Sequence, residues 1–277
     1  MPEWAAYPGA AAPLSMTDPF AITTGPGPLV AAAIHDGHAI SPETLAHVAL
    51  PDDERLREED PFTGELTAVA PVRIVGGRSR FEIDLNRPRE GAVYRTPDDA
   101  WGLQVWDGEV PEAVVQRSLE TYDAFYRSVE ALLAAIIRAH GSVVVYDLHS
   151  YNHRRDGPDG PAADPEANPE VNLGTGSLDR GRWGGLVDGF MADLRDGAAR
   201  AGLGVLDVRE NVKFQGGAFS RWAHDRFGSD ACVLAVEFKK TFMDEWTGTP
   251  DRAHLDRLRQ ALAATVPGTL AARAAAS

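Results

Sequence analysis

A chain of 277 residues, 44% of them hydrophobic, can bury one substantial core. Its formal net charge of −14 excludes a nucleic-acid or anionic-membrane surface, because both need a basic face. The single cysteine, Cys232, excludes an intrachain disulfide and, lying inside an apolar strand, reads as a buried inert thiol.

Residues 1–28 are rich in Pro, Gly and Ala and read as an extended arm, with one domain expected over residues 29–277. The start has no basic region followed by an apolar one, and no apolar run approaches the ~20 residues of a membrane span. A soluble, cytoplasmic protein is therefore expected. The first strand is Leu29–Ile34. Ser41-Pro42-Glu43-Thr44 is a helix-start signature, and the acidic run Asp52 to Asp60 follows with few apolar residues. Thr67–Val75 and Arg80–Leu85 read as two strands reversing at Gly76-Gly77, the first being an edge strand or beginning after Pro71.

Pro111 opens a long helix that Gly141 stops, with Val115, Leu119, Tyr122, Tyr126, Val129, Leu133 and Ile136/Ile137 on one stripe. Strand Val143–Leu148 follows at once. Residues 152–180, with four prolines, read as a long polar loop of the kind that covers a site. Within it His153-Arg154-Arg155 is too short for a basic patch and suits local anion recognition or plain solvation. A helix around Gly184–Arg200, strands Gly204–Val208 and Cys232–Glu237, and a last helix over Asp251–Val266 complete the chain. Strands alternating with amphipathic helices predict an α/β layered domain, and the paired strands before Asn86 make its sheet mixed.

Three strands end in groups with chemistry. Leu29–Ile34 runs into His35-Asp36-Gly37-His38, Val143–Leu148 into His149, and the Cys232 strand into Glu237. Strand carboxyl ends are where α/β enzymes build their sites, and three imidazoles there suit a divalent metal, zinc first. Asp36 and Asp147 are candidate acceptors that fix a ring tautomer, or else loop caps. The competing reading makes His35-x-x-His38 accidental. Glu237 beside a metal can carry a proton from water to a leaving group; otherwise it pairs with Lys239 or an arginine.

Arg80 and the Asp84-Leu85-Asn86-Arg87 cluster suit a carboxylate substrate or an oxyanion, or form a strand-end ion pair. In Asn211–Gly217 the glycines permit close backbone approach, or make a simple turn. Trp101, Trp106 and Trp246 read as packing.

Taken in order, Ile34-His35-Asp36-Gly37-His38, Ser79-Arg80 through Asp84-Leu85-Asn86-Arg87, Asp147-Leu148-His149-Ser150-Tyr151, Asn172-Leu173-Gly174-Thr175, Phe214-Gln215-Gly216-Gly217 and Val236-Glu237 through Met243-Asp244-Glu245 resemble the N-formylglutamate amidohydrolase family. The likeness spans roughly residues 29–248. More distantly the layout is similar to zinc carboxypeptidases and to the aspartoacylase and succinylglutamate desuccinylase enzymes. The resemblance implies a three-layer α/β/α fold with a mixed central sheet, zinc-carboxypeptidase-like (phosphorylase/hydrolase-like). It also implies one Zn2+ per chain held by His35, His38 and His149, with Glu237 as general acid/base. Arg80 is then near the scissile carbonyl, and Asn86 and Arg87 hold the substrate carboxylate.

The expected activity is hydrolysis of an N-acyl amino acid, a small molecule, with N-formyl-L-glutamate as the first candidate. Alternatives are a metallocarboxypeptidase-like hydrolase of small peptides and a non-catalytic metal- or ligand-binding relative. The chain departs from the family at Ile34-His35-Asp36-Gly37-His38, where the better-known members tend to carry a Pro-His-Ser-Gly segment. The Tyr151-to-Arg155 and Phe238-Lys239-Lys240 extensions also look particular to a subgroup.

Overall fold

The computed structural model describes residues 18–276, and seven strands among them form one mixed sheet. The strands are β1 (Phe20–Thr23), β2 (Leu29–Ala33), β3 (Val72–Gly76), β4 (Val143–Tyr151), β5 (Val171–Gly174), β6 (Val208–Glu210) and β7 (Ala231–Lys239). Their order across the sheet is β1-β3-β2-β4-β7-β5-β6. The central strands β3, β2, β4 and β7 are parallel, while β1 and β5 pair antiparallel with β3 and β7. Helices are α1 (Pro42–Leu45), α2 (Asp52–Glu58), α3 (Thr63–Leu66), α4 (Glu112–His140), α5 (Arg180–Arg200), α6 (Ala218–Phe227) and α7 (Arg252–Ala276).

Every residue of β2 and β4 is buried, which explains their continuous apolar runs: a parallel strand covered on both faces has no polar side to show. Alternate residues serve opposite layers. Val143 and Val145 pack with Phe125, Val129 and Leu133 of α4 and Phe219 of α6. Val144, Tyr146 and Leu148 pack with Trp183, Leu186 and Phe190 of α5 and with Leu255, Leu258 and Leu262 of α7. The three-layer α/β/α architecture with a mixed sheet is thus the one expected. No helix among the described residues is long and apolar enough to cross a membrane.

The chain departs from the sequence reading in several places. Most of the arm expected over residues 1–28 lies outside the described residues, but Phe20–Thr23 is the strand β1. Only one strand of the expected hairpin forms: β3 begins after Pro71, whereas Arg80–Leu85 is a turn-rich loop. There Ser79 accepts from the amides of Glu82 and Ile83, and Phe81, Ile83 and Leu85 alternate into the core without a ladder. The sheet is mixed because of β1 and β5, not because of that hairpin.

The end of the expected 152–180 loop is β5, all four of whose residues are buried. The strand expected at Gly204–Val208 is β6, shifted to Val208–Glu210, and α6 went unforeseen. The last helix runs beyond Val266, through Pro267, to Ala276. Its Thr265 and Thr269 hydroxyls lie 2.8 and 2.6 Å from the Tyr146 hydroxyl in the core.

Candidate active site

β2, β4 and β7 lie side by side, so their carboxyl ends bring His35, His149 and Glu237 together. His149 and Glu237 are register partners on adjacent parallel strands, which puts both side chains on the same face. Above them opens a cavity of about 450 Å³ that also takes in Asp60, Arg80, Asn86 and Arg87.

Three buried residues form the centre. His149 Nδ1 lies 2.9 Å and His35 Nδ1 3.4 Å from the same Asp60 oxygen. The two rings stand 5.0 Å apart, centroid to centroid, nearly edge to face. Each ring is backed by a second carboxylate on its far nitrogen: His35 Nε2 is 2.8 Å from Asp84, and His149 Nε2 is 3.0 Å from Asp147. A carboxylate on Nε2 keeps the proton there and turns the Nδ1 lone pair inward, the arrangement of metal-binding histidines. His35 Nδ1 is a buried nitrogen with no hydrogen-bond partner, a costly defect unless something else binds it. His35, Asp60 and His149 each offer one ligand atom, and these atoms all lie within 4.8 Å of one another. Two imidazoles and one carboxylate, with room beside them, match the donor set of a catalytic metal site.

The charges around this group agree. Burial works against ionising Asp60, yet His149 and His35 outweigh it and hold the carboxyl well below its usual range. Burial likewise opposes a charged His149, but Asp147 and Asp60 raise it well above the ordinary histidine value. Glu237 behaves differently. Burial pushes its carboxyl up to about 7, only partly offset by His149, and among the described residues it makes no ion pair. The alternative of a salt bridge to Lys239 or an arginine is not realised.

His38 stands apart, and this corrects the expected ligand set. Gly37 lies against the Gly77–Arg78 backbone, where even a Cβ would come within 2.4 Å, and His38 does not line the cavity. The His38 ring is partly exposed, with Nδ1 2.5 Å from Glu59 and Nε2 3.2 Å from Asp52. The residue that the structure brings beside His35 and His149 is Asp60. Its amide donates to the His35 carbonyl, so the loop after α2 is tied to the end of β2. Buried Lys240 fixes the same loop by donating its ammonium to the carbonyls of Arg57 and Glu59. Asp36 is no ring acceptor either: it takes the Gly64 amide at 2.8 Å, and burial pushes its carboxyl up to about 7.

The remaining expected residues converge on the cavity. Arg80 donates to Asp84 at 2.8 Å, and its guanidinium lies 4.8 Å from the Trp101 ring centre. Arg87 is looser, 3.8 Å from Asp84 and partly exposed. Asn86 is fixed through its Oδ1, which accepts the Phe219 amide at the start of α6, and its side chain lies beside the His149 ring. Gly217 makes this possible, since any Cβ there would run into the Asn86 amide group at 2.0–2.3 Å. The close approach expected of the Gly216-Gly217 segment is what the fold uses.

The model of the family described as N-formylglutamate amidohydrolase matches residues 27–243. Among solved structures, an N-formylglutamate amidohydrolase from Ralstonia eutropha JMP134 superposes with a TM-score of 0.70 at 18% identity, over 93% of this chain and 99% of that one. A gene product from Agrobacterium tumefaciens superposes with a TM-score of 0.54 at 16% identity, over 91% and 96%. At these identities the two structures speak for the fold. No curated protein matches the chain in sequence. The family match covers well over half of the chain, which therefore belongs to the N-formylglutamate amidohydrolases, hydrolases of a linear amide C–N bond.

Proposed function

We propose that this chain is a zinc-dependent hydrolase of N-acyl amino acids, with N-formyl-L-glutamate as the first substrate to test. The observation that carries the reading is the pair of buried imidazoles turned by Asp84 and Asp147 toward one Asp60 oxygen. His35 and His149, through Nδ1, and Asp60, through its carboxylate, would hold one Zn2+. Bound there, the ion would acidify water and polarise the acyl carbonyl.

The protein's own groups supply the rest. Glu237 sits near neutrality, so it can take a proton from the attacking water and deliver it to the leaving nitrogen. Arg80, kept charged and oriented by Asp84, suits the oxygen of the scissile carbonyl as negative charge develops on it. Arg87, less engaged with Asp84, and the fixed amide of Asn86 suit the substrate carboxylate.

The test is metal analysis of the purified protein, followed by assays of N-formyl-L-glutamate, other N-acyl amino acids and short peptides with and without chelator. Expected are about one zinc per chain and release of free amino acid that chelator abolishes and zinc restores. Chelator-resistant turnover of N-formyl-L-glutamate would remove the metal from the reading, and turnover of peptides alone would remove the substrate class.

A further inference from the structure

Six cationic side chains line the cavity: Arg80, Arg87, Arg155, Lys213, Arg221 and Lys240. Most are already answered. Arg80 has Asp84, Arg87 has the same carboxylate at longer range, and Lys240 is spent on two backbone carbonyls. Arg221 donates to the Gly216 carbonyl, and Arg155 lies 3.7 Å from Glu58.

Lys213, like Arg221 and Lys240, is in no ion pair among the described residues, and it is set apart by its place against two aromatic rings, with its one hydrogen bond running 2.6 Å to the Asn168 side-chain oxygen. An ammonium carries three donors, so two remain. Its position is fixed by more than that bond. Asn172, fully buried in β5, accepts the amides of Lys213 and Phe214 and donates to the Phe214 carbonyl. Asn211, in a left-handed conformation, locks the start of the same loop to Thr175. The ammonium rests 5.4 and 5.6 Å from the ring centres of Tyr151 and Phe214.

The placement across the sheet is informative. Arg80 and its partner Asp84 belong to the β2 side, through His35. Lys213 belongs to the β5–β6 side, beyond Glu237, since Asn172 is the register partner of Glu237. The three metal-site residues and Glu237 thus lie between two cationic stations.

We infer that Lys213 is a specificity-determining residue that binds a second carboxylate, the one at the end of the amino acid's side chain, while Arg87 and Asn86 take the first. The inference rests on the N-acyl amino acid reading above and adds to it the residue that selects acidic over neutral side chains. An extra carboxylate within reach of Lys213 gains a charge-assisted hydrogen bond, and an isosteric carboxamide gains none of that charge term.

N-formyl-L-glutamate and N-formyl-L-glutamine are the test pair, compared by kcat/KM in the wild type, Lys213→Met and Lys213→Arg. The wild type is expected to prefer the glutamate compound. Lys213→Met should reduce that preference by roughly 10- to 100-fold, the worth of one charged hydrogen bond, and Lys213→Arg should recover part of it. An unchanged preference, or an equal loss on both substrates, overturns the assignment.

A binding measurement separates this from failure of the activity itself. Glutarate should raise the thermal midpoint of the wild-type protein more than glutaramate does, and the difference should vanish in Lys213→Met. If the wild type cleaves neither substrate, the activity reading falls and this pair of ligands still decides the subsite. Equal shifts by both ligands in the wild type would refute it.

Discussion

Two histidines at opposite ends of the central strands show how the same side chain is put to different uses. His149, at the carboxyl end of β4, lies between the carboxylates of Asp147 and Asp60, which favour its charged form over the penalty of burial. His224, on α6 near the start of β7, has no carboxylate on its ring. Its Nε2 accepts the Val233 amide at 3.1 Å and its Nδ1 lies 2.8 Å from the Ser177 hydroxyl. Burial pushes it down to about 4, so it stays neutral. The first environment favours positive charge on the ring; the second satisfies a backbone donor and excludes charge. Partners, not burial, set the two rings apart.

The largest effect expected from breaking this contrast is at Glu237. Glu237→Gln should lower kcat by about 10²- to 10⁴-fold with zinc content unchanged. As a base Glu237 must be ionised, so wild-type kcat/KM should climb as pH rises through about 7, and that limb should disappear in the variant. A variant that keeps both rate and limb would exclude Glu237 as the proton carrier.

Next comes the metal group itself. Asp60→Asn should weaken zinc binding beyond the roughly 10- to 100-fold typical of an outer partner, whereas His38→Gln should leave it nearly intact. Competition with a chromogenic chelator reads both, and the opposite ranking would restore His38 as the ligand. Asp84→Asn and Asp147→Asn test the backing carboxylates, with losses of about 10- to 100-fold each in the same competition.

The smallest effect is on stability, at the neutral histidine. A folded value near 4 against an ordinary 6.5 means His224 contributes stability above pH 6.5 and loses it as pH falls from 6.5 toward 4. The contribution amounts to roughly 3 kcal/mol at most. Urea midpoints at pH 7.5 and 4.5 should therefore fall less for His224→Gln than for the wild type. An equal fall would assign the acid sensitivity elsewhere.

Much of this site is legible in the sequence because apolar runs stop at chemical groups. Leu29–Ile34 before His35, Val143–Leu148 before His149 and Cys232–Val236 before Glu237 mark the three central strands and what they present. Asp60 is not legible. It ends an acidic run with few apolar residues, and contacts remote in sequence carry it inside: its own amide bonds the His35 carbonyl, and Lys240 holds the carbonyls of Arg57 and Glu59. His38 fails for the opposite reason: a histidine three residues after another invites pairing, but Gly37 directs the chain onto Gly77. The family segment Pro-His-Ser-Gly, with one histidine where this chain has His35, was the available signal. Arg80–Leu85 misleads because a buried loop can alternate apolar and polar residues as a strand does.

One feature of the sheet bears on how the protein can be handled. β1 is only four residues long, yet it supplies the antiparallel partner along the outer side of β3. Shortening the polypeptide to begin at Thr24 would strip that cover and leave a row of unsatisfied amides and carbonyls facing solvent. Such a rim recruits strands from other molecules, so the shortened protein should form soluble aggregates or fibrillar material under conditions where the parent does not.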